Sequence, residues 1–338
     1  MPSTSDLRQS DSVIGGIDES IPVIDSQLMF SEDTTARANV VATIRDACLN
    51  TGFFYINQAG GNRSAATATF RQLRAFFALS DDDPRKQAVR RDNADYGWMP
   101  KFSEPAYQPG TISNMEAFDC GISNIDGSSP SNIWPDLPAF DADVSSCWRD
   151  FADLGAATLS RISQAAGMEE DFLRRNCSSQ SLNTFRLLHY AASPDIDGDR
   201  SVGISAHTDF ECMTFICQTA PGLELTDVNG NWLDAPAHDG RITVILGDML
   251  ERWTNGKFKA TGHRVRRSAE QRFSIVMFFA ANDDIEIAPL PCFVSDSVPS
   301  LYPATRQAAH IEYEVGKAMR NAGRANEPKP ATSGEFRR

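Results

Sequence analysis

The sequence predicts an α+β protein with a mainly β core, in which a double-stranded β-helix (jelly roll) is flanked by helices. Two observations carry this prediction. Between about residues 181 and 290 the chain contains about eight short apolar stretches separated by turn sequences such as Asn229–Gly230 and Asn255–Gly256. That density of short strands is typical of a double-sheet jelly roll. Before residue 180, apolar residues recur mainly at helical spacing, which predicts amphipathic helices around the core.

The N-terminal segment, about residues 21–180, is predicted to alternate strands and helices. In the helix predicted from Thr34 to Asn50, Val40, Ile44 and Cys48 lie four residues apart and so share one face. Residues 101–138 contain five prolines and lack periodicity, which predicts a long irregular segment of the kind that is often functional. The other elements predicted in this segment are strands at 21–25 and 52–60 and helices at 62–80, 144–167 and 169–176.

The rest of the chain is predicted as a jelly-roll core at about 181–290 and a C-terminal helix at about 305–322. Residues 1–20 and 327–338 are polar and are expected to be disordered tails. All-β cores often run to about 200–250 residues as one domain. Residues 1–338 are therefore predicted to form a single domain.

Composition narrows the class of protein. The chain is 41% hydrophobic and 23% charged, as in soluble globular proteins. Its net charge of −13 disfavours nucleic acid and anionic membranes as partners. Seven scattered cysteines indicate free thiols in a reducing compartment, and the N-terminus lacks the basic and apolar regions of a signal peptide. We therefore expect a cytoplasmic protein, with a monomer favoured.

Three residues are of the types that form a metal site. His207 and Asp209 are separated by one residue, and His263 follows after 53 intervening residues. Residues i and i+2 of a strand point to the same face, so His207 and Asp209 aim at one point if this stretch is extended. Two imidazoles and one carboxylate with open positions opposite them are the ligands of non-haem Fe(II) oxygenases. The cysteines do not lie at metal-binding spacing.

Arg272 and Ser274 begin an apolar stretch, RFSIVMFF. A cation inside an apolar barrel is costly unless it is paired. A guanidinium is suited to binding a carboxylate, and a hydroxyl adds one hydrogen bond. The pair therefore predicts a pocket for the distal carboxylate of a dicarboxylate cosubstrate.

Together these motifs resemble the iron- and 2-oxoglutarate-dependent dioxygenases of the isopenicillin N synthase-like family. The resemblance rests on H-T-D, G-D-M-L-x-x-W-T-N-G, H-R-V and R-F-S in this order. It covers roughly residues 184–282, and a weaker resemblance covers 21–100. It implies a jelly-roll enzyme that uses Fe(II), 2-oxoglutarate and O2.

The resemblance also implies site residues. Fe(II) would be held by His207, Asp209 and His263, and 2-oxoglutarate by Arg272 and Ser274. Tyr190 lies where the family carries a tyrosine that also contacts the cosubstrate, although the Asn and Pro that often flank this tyrosine are missing. No catalytic residue is expected beyond the metal ligands. Hydroxylation of a small metabolite, in specialised metabolism, is the default reaction, with desaturation or ring rearrangement as known branches.

The substrate is expected to be fairly hydrophobic, because several aromatic and apolar side chains fall near the motifs. The predicted substrate wall consists of Phe118, Tyr96, Trp98, Phe210, Met249, Trp253 and Phe279. The segment that contains Glu116 and Phe118 lines the substrate pocket in the family. Of the other histidines, His189 is a candidate for facing the pocket, whereas His238 and His310 are expected at the surface.

Three alternatives remain at this point. An iron oxidase of the same fold would draw its electrons from the substrate or from ascorbate. A non-catalytic jelly roll would bind a metabolite as a sensor or scaffold, although such a module has no need for three convergent ligands. A zinc hydrolase is permitted by the ligand set, but no glutamate is obviously placed as its base.

Overall fold

The structure is a computed structural model that describes residues 21–58, 61–91, 96–121, 132–178, 184–193 and 201–323. The tails predicted at 1–20 and 327–338 lie outside the described residues. The helices are Ser26–Met29 (α1), Thr34–Asn50 (α2), Gly61–Phe77 (α3), Pro84–Gln87 (α4), Phe140–Ala166 (α5), Phe172–Asn176 (α6), Asp248–Trp253 (α7) and Gln307–Asn321 (α8).

The strands of the first half of the chain are short. They are Val23–Asp25 (β1), Phe53–Asn57 (β2), Gly97–Met99 (β3), Ile112–Ser113 (β4) and Glu116–Cys120 (β5). The second half contributes Phe185–Tyr190 (β6), Ser201–Val202 (β7), Ile204–His207 (β8), Met213–Gln218 (β9), Leu223–Thr226 (β10), Trp232–Ala235 (β11), Arg241–Leu246 (β12), His263–Val265 (β13) and Arg272–Phe279 (β14). This succession of short strands after residue 184 matches the pattern that the sequence predicts.

Two sheets form the core. The larger has the strand order β1-β2-β12-β9-β14-β6-β5-β3, and the smaller has the order β11-β10-β13-β8. Neighbouring strands are antiparallel in both sheets, except that β1 and β2 run parallel. The predicted mainly β core of a jelly roll with flanking helices is confirmed.

The larger sheet crosses the segment boundary that the sequence places near residue 180. From the N-terminal segment, β2 pairs with β12 on one side and β5 pairs with β6 on the other. The N-terminal strands therefore extend the barrel sheet rather than form a separate layer.

Two apolar layers hold the sheets in place. Helices α3 and α5 cover the outer face of the larger sheet, where Phe76, Phe151 and Phe215 are fully buried. The helix–sheet approach is close at Gly155 of α5, because a Cβ atom there would overlap the ring of Phe279. The second apolar layer lies on the inner face, between the two sheets.

A cavity of about 160 Å³ opens between the sheets. Side chains alternate across β14, so Arg272, Ser274 and Phe278 line the cavity while Phe273 and Phe279 pack toward the helices. Helix α8 closes one side, where Ile311 contributes to the lining. Among the described residues, no helix is both long and apolar enough to span a lipid bilayer.

Candidate functional site

The two predicted histidine ligands lie directly opposite each other in the smaller sheet. His207 is the last residue of β8 and His263 is the first of β13, and the antiparallel register pairs them. Their ring centroids are 4.2 Å apart. Two residues that are 56 positions apart in sequence are thus brought together by a single strand pairing.

Asp209 completes the cluster from outside the strand. The predicted extended stretch ends at His207, and Asp209 follows in the connection to β9. Its Oδ1 lies 3.7 Å from Nε2 of His207 and 3.6 Å from Nε2 of His263. One ligand atom from each residue lies within 4.8 Å of the others. The structure therefore brings the three predicted metal ligands together, and all three are buried.

Backbone contacts fix the orientation of both imidazoles. Nδ1 of His207 lies 2.8 Å from the carbonyl oxygen of Ser205, and Nδ1 of His263 lies 3.2 Å from that of Thr261. With the proton on Nδ1, each Nε2 is free to bind a metal. Burial and the neighbouring His263 lower the pKa of His207 well below its ordinary value. His207 is therefore neutral, as a metal ligand must be.

Arg272 lies across the cavity on β14 and is fully buried. Its Nε and Nη2 donate to Oε1 of Gln218, at 3.2 and 2.7 Å, and its guanidinium lies 4.6 Å above the ring of Tyr190. Among the described residues, no carboxylate forms an ion pair with Arg272, and its Nη1 has no hydrogen-bond partner. The site thus holds a buried cation that lacks an anion.

Ser274 and Tyr190 lie beside this cation. Tyr190 is the register partner of Arg272 across β6 and β14, and both line the cavity. The hydroxyl oxygen of Ser274 is buried and has no partner among the described residues. A carboxylate at this position would satisfy both the guanidinium and the hydroxyl. The donor set therefore fits the distal end of 2-oxoglutarate.

The predicted substrate wall is largely wrong. Of its seven members only Phe210 lines the cavity. Phe118, Trp98, Met249, Trp253 and Phe279 are buried in the layer between the larger sheet and the helices, and the buried Tyr96 packs near Gly121 instead.

The alternation of side chains between the two faces of a strand, here called strand parity, explains three of these errors. Met99 lines the cavity in place of Trp98, Asp119 in place of Phe118, and Phe278 in place of Phe279. Because successive side chains of a strand point to opposite faces, a shift of one residue exchanges the cavity for the core. In each pair, the residue that the sequence assigned to the substrate wall packs under the helices instead.

Two of the remaining histidines also differ from expectation. His310 is buried on α8, with its Nε2 2.7 Å from Oδ2 of Asp248. His189 faces away from the cavity, stacks on Phe273 and lies 2.8 Å from Oε1 of Glu116. Glu116 itself is buried and forms an ion pair with Lys86, so this part of the segment at 101–138 has a structural role.

The sequence prediction missed several polar residues of the cavity, namely Arg91, Glu104, Tyr107, Asp119, Arg186 and Glu211. The ring of Tyr107 stacks on that of His207, with centroids 4.3 Å apart and planes 10° from parallel. A signal for Arg186 was present, because it is a cation in the apolar strand FRLLHY, the same pattern that identified Arg272.

Comparison with known proteins agrees with this geometry. Residues 181–281 match the 2OG-Fe(II) oxygenase superfamily, and residues 21–137 match the N-terminal region described as "non-haem dioxygenase in morphine synthesis". A 2-oxoglutarate-dependent dioxygenase, citB of Monascus ruber, is 31% identical over 300 residues, which cover 80% of this chain and 87% of that protein. This chain belongs to the 2OG-Fe(II) oxygenase superfamily.

Other relatives extend the likeness over most of the chain. A 2-oxoglutarate-Fe(II) type oxidoreductase of Aspergillus fumigatus is 27% identical over 322 residues, covering 90% of this chain and 95% of the relative. The crystal structure of a full-length Neurospora crassa protein in complex with alpha-KG superposes with a TM-score of 0.75 at 22% identity, covering 91% of this chain and 98% of that protein. The likeness to the Neurospora crassa structure shows that this chain shares its fold.

The relatives, which are 2-oxoglutarate-dependent enzymes, decide between the functional alternatives. The protein is an oxidoreductase that uses Fe(II) and 2-oxoglutarate, with O2 as the usual cosubstrate. The dioxygenase prediction is therefore supported over the iron oxidase and over the non-catalytic binding module.

Proposed function

We propose that His207, Asp209 and His263 hold Fe(II), that Arg272, Ser274 and Tyr190 bind 2-oxoglutarate, and that the enzyme oxidises a small metabolite in the cytoplasm. The observation that carries the proposal is the pairing of two incomplete sites across one cavity. On the smaller sheet, three ligands converge within 4.8 Å. On the larger sheet, a buried guanidinium lacks an anion among the described residues.

These two half-sites match the two ends of one cosubstrate. A keto acid end is suited to the metal, and a distal carboxylate is suited to Arg272. The buried guanidinium gains a charge-assisted pair when the carboxylate binds, and such a pair is strongest away from water. Bound Fe(II) and 2-oxoglutarate would supply the oxidising chemistry, in which O2 gives one oxygen atom to 2-oxoglutarate, yielding succinate and CO2, and the other to the substrate.

The protein's own side chains bind, orient and exclude water. His207, Asp209 and His263 supply three ligands and all line the cavity, so Fe(II) held by them would keep coordination positions for the cosubstrate. Leu188, Phe210 and Phe278 cover much of the remaining wall with apolar surface, which limits water near the reacting centre. We propose hydroxylation as the default outcome.

The wider setting of the enzyme is also part of the proposal. All seven cysteines are free thiols, and six of them are buried, which supports a reducing compartment. The net charge of −13 supports a small-molecule substrate over nucleic acid. We propose one dioxygenase unit that acts as a monomer in specialised metabolism.

The test is succinate formation from 2-oxoglutarate by purified protein supplied with Fe(II) in air, including the slow turnover without substrate. We expect Fe(II)-dependent succinate from the unaltered protein and only background from His263→Ala. The matched control is His238→Ala, which removes a histidine that does not line the cavity and should keep the activity. Fe(II)-independent turnover, or full activity of His263→Ala, would refute the proposal.

A further inference from the structure

Four charged side chains line the cavity away from Arg272. Arg91, Glu104, Asp119 and Arg186 form this cluster, which we call the polar pole. Asp119 accepts hydrogen bonds from Nε and Nη2 of Arg186 at 2.8 and 2.9 Å and pairs with Arg91. Glu104 pairs with Nη1 of Arg186 at 3.3 Å. The metal and cosubstrate assignments leave the polar pole without a role.

The position of the polar pole separates it from the cosubstrate. Arg186 and Tyr190 lie on the same face of β6, four residues apart, which is roughly 13 Å along a strand. Across the register, Tyr190 is opposite Arg272, whereas Arg186 is opposite Val276. The cavity therefore has a charged end for 2-oxoglutarate and a second polar end for another molecule.

The polar pole is polar but electrically balanced. Two guanidinium groups face two carboxylates, so the formal charges sum to zero. Glu211 also lines the cavity and adds no positive charge in either protonation state. A carboxylate placed here would find its cations already neutralised, and burial of an unpaired charge is costly. The polar pole therefore disfavours an anionic substrate.

The side chains of the polar pole can form further hydrogen bonds. Both oxygens of Asp119 accept close bonds from Arg186. In Glu104, by contrast, Oε1 accepts from the hydroxyl of Tyr107 at 2.7 Å, while the contact of Oε2 among the described residues is the 3.3 Å one with Arg186. The Glu104 carboxylate and the Arg186 guanidinium thus present an acceptor beside a donor on the cavity wall.

The cavity lining also includes apolar side chains. Phe210, Leu188, Phe278 and Ile311 contribute to it. A molecule that fills this space contacts apolar surface along its body and hydrogen-bonding groups at one end. This differs from the uniformly aromatic wall that the sequence predicts.

We propose that the polar pole binds the head of the substrate, and that the substrate is a neutral small molecule whose hydrogen-bond donor and acceptor are adjacent, as in an amide or a hydroxy-carbonyl group. The inference rests on the proposed function, because it takes the metal and 2-oxoglutarate positions from it. Glu104 accepts from the donor of the substrate, and Arg186 donates to its acceptor. The apolar body lies toward His207 and Phe210.

The test uses three probes of similar size, which are benzamide, benzoate and ethylbenzene. Their binding to the full chain, loaded with Zn(II) and saturating 2-oxoglutarate, is followed by ligand-observed NMR titration. We expect benzamide to bind about tenfold or more tightly than benzoate, because the anion finds no uncompensated cation. Ethylbenzene should also bind more weakly than benzamide.

Charge variants make the test specific. Glu104→Gln keeps the shape of the side chain and gives the polar pole a net positive charge, so benzoate should then bind at least as tightly as benzamide. Asp119→Asn provides the same charge change if the first variant does not fold. The control Glu270→Gln changes an exposed glutamate outside the cavity and should preserve the preference for benzamide.

Each result is decisive. Equal or stronger binding of benzoate or ethylbenzene to the unaltered protein, no binding of benzamide, or an unchanged preference in the folded charge variants would overturn the inference. The 2-oxoglutarate signal in the same samples separates the two claims. Lack of 2-oxoglutarate binding refutes the proposed function, whereas normal 2-oxoglutarate binding without a preference for benzamide refutes this inference alone.

Discussion

Gln218 accepts two hydrogen bonds from Arg272 on a single side-chain oxygen, from Nε at 3.2 Å and from Nη2 at 2.7 Å. The amide nitrogen of Gln218 donates in turn to the carbonyl oxygen of Ala235 at 2.7 Å, which fixes the orientation of the amide. The partner that holds the guanidinium is therefore neutral. It orients Arg272 without cancelling the charge that we propose binds the cosubstrate carboxylate.

The first prediction concerns this neutrality. Gln218→Glu places a resident carboxylate on Arg272, and we expect the Kd for 2-oxoglutarate to rise by about 100-fold, the cost of one charged hydrogen-bonded pair. The melting temperature without ligand should change little, because the new ion pair offsets the hydrogen bond that Gln218 donates to Ala235. Calorimetric titration with Zn(II)-loaded protein measures the Kd.

A matched variant separates charge from packing. Gln218→Leu removes the orienting bonds without adding a charge, so its Kd should rise less than that of Gln218→Glu. If both variants weaken 2-oxoglutarate binding equally, Gln218 acts through packing and its neutrality is unimportant.

The second prediction concerns the ring that stacks on His207, a proposed metal ligand. Tyr107 lies flat on His207, and its backbone carbonyl accepts from Nδ2 of Asn321 at 3.1 Å. Contacts that orient a ligand typically change metal affinity by 10–100-fold, so we expect Tyr107→Ala to weaken Fe(II) binding about tenfold. Tyr107→Phe keeps the ring and should stay within about twofold. Anaerobic Fe(II) titration measures both, and equal affinity of Tyr107→Ala and the unaltered protein would contradict the role.

The third prediction is a pH dependence of stability. Burial of Asp119 opposes ionisation, but Arg186 and Arg91 outweigh it and hold the pKa of Asp119 below its ordinary value of 3.8. In the window below that value, the unfolded chain binds more protons than the folded one, so this contribution to stability is lost as the pH falls. We expect Asp119→Asn to lower the free energy of unfolding by about 3–5 kcal/mol at pH 7.

The difference in free energy of unfolding between the unaltered protein and Asp119→Asn should narrow as the pH falls from 4 toward 3. Protonation of Asp119 then removes the same charge from the unaltered protein. Urea unfolding at a series of pH values measures this. Asp46→Asn is the control, since it changes an exposed aspartate and should alter stability by less than about 0.5 kcal/mol. If the difference in free energy of unfolding stays constant down to pH 3, the charge of Asp119 is not the cause of the lower stability of Asp119→Asn.

The fourth prediction concerns the contact between helix α5 and the larger sheet. A methyl group on Gly155 would overlap the Phe279 ring, so Gly155→Ala should destabilise the fold by about 1–3 kcal/mol. The same substitution in α8, Gly316→Ala, meets only the flexible end of Arg320 at 3.5 Å. It should raise the free energy of unfolding by up to about 1 kcal/mol. Equal effects of the two substitutions would argue against the close contact at Gly155.

The residues proposed to bind the metal and the cosubstrate could be identified from the sequence because each is a polar residue in or next to an apolar stretch. His207 and Asp209 lie at the end of an apolar strand, and Arg272 and Ser274 begin another. Buried polar groups of this kind need partners, so the sequence alone indicates a site. The pairing of His263 with His207 required the register of β8 and β13, which only the fold supplies.

The residues of the predicted substrate wall could not be placed from the sequence in the same way. Trp98, Phe118 and Phe279 are large and apolar, but strand parity places them under the helices. The choice of face depends on what covers the sheet, and residue type does not reveal it. Glu104 and Tyr107 lie in the irregular segment, where no periodicity assigns a direction to a side chain.

The most direct test of the central claim is an anaerobic titration of the protein with Fe(II) and then 2-oxoglutarate, followed by visible absorbance. In this family the chelate gives a weak visible charge-transfer band. We expect the band with the unaltered protein, no band with His207→Ala, and a band with Arg272→Ala only at much higher 2-oxoglutarate concentration. Protein that binds Fe(II) but develops no band with 2-oxoglutarate would contradict the account.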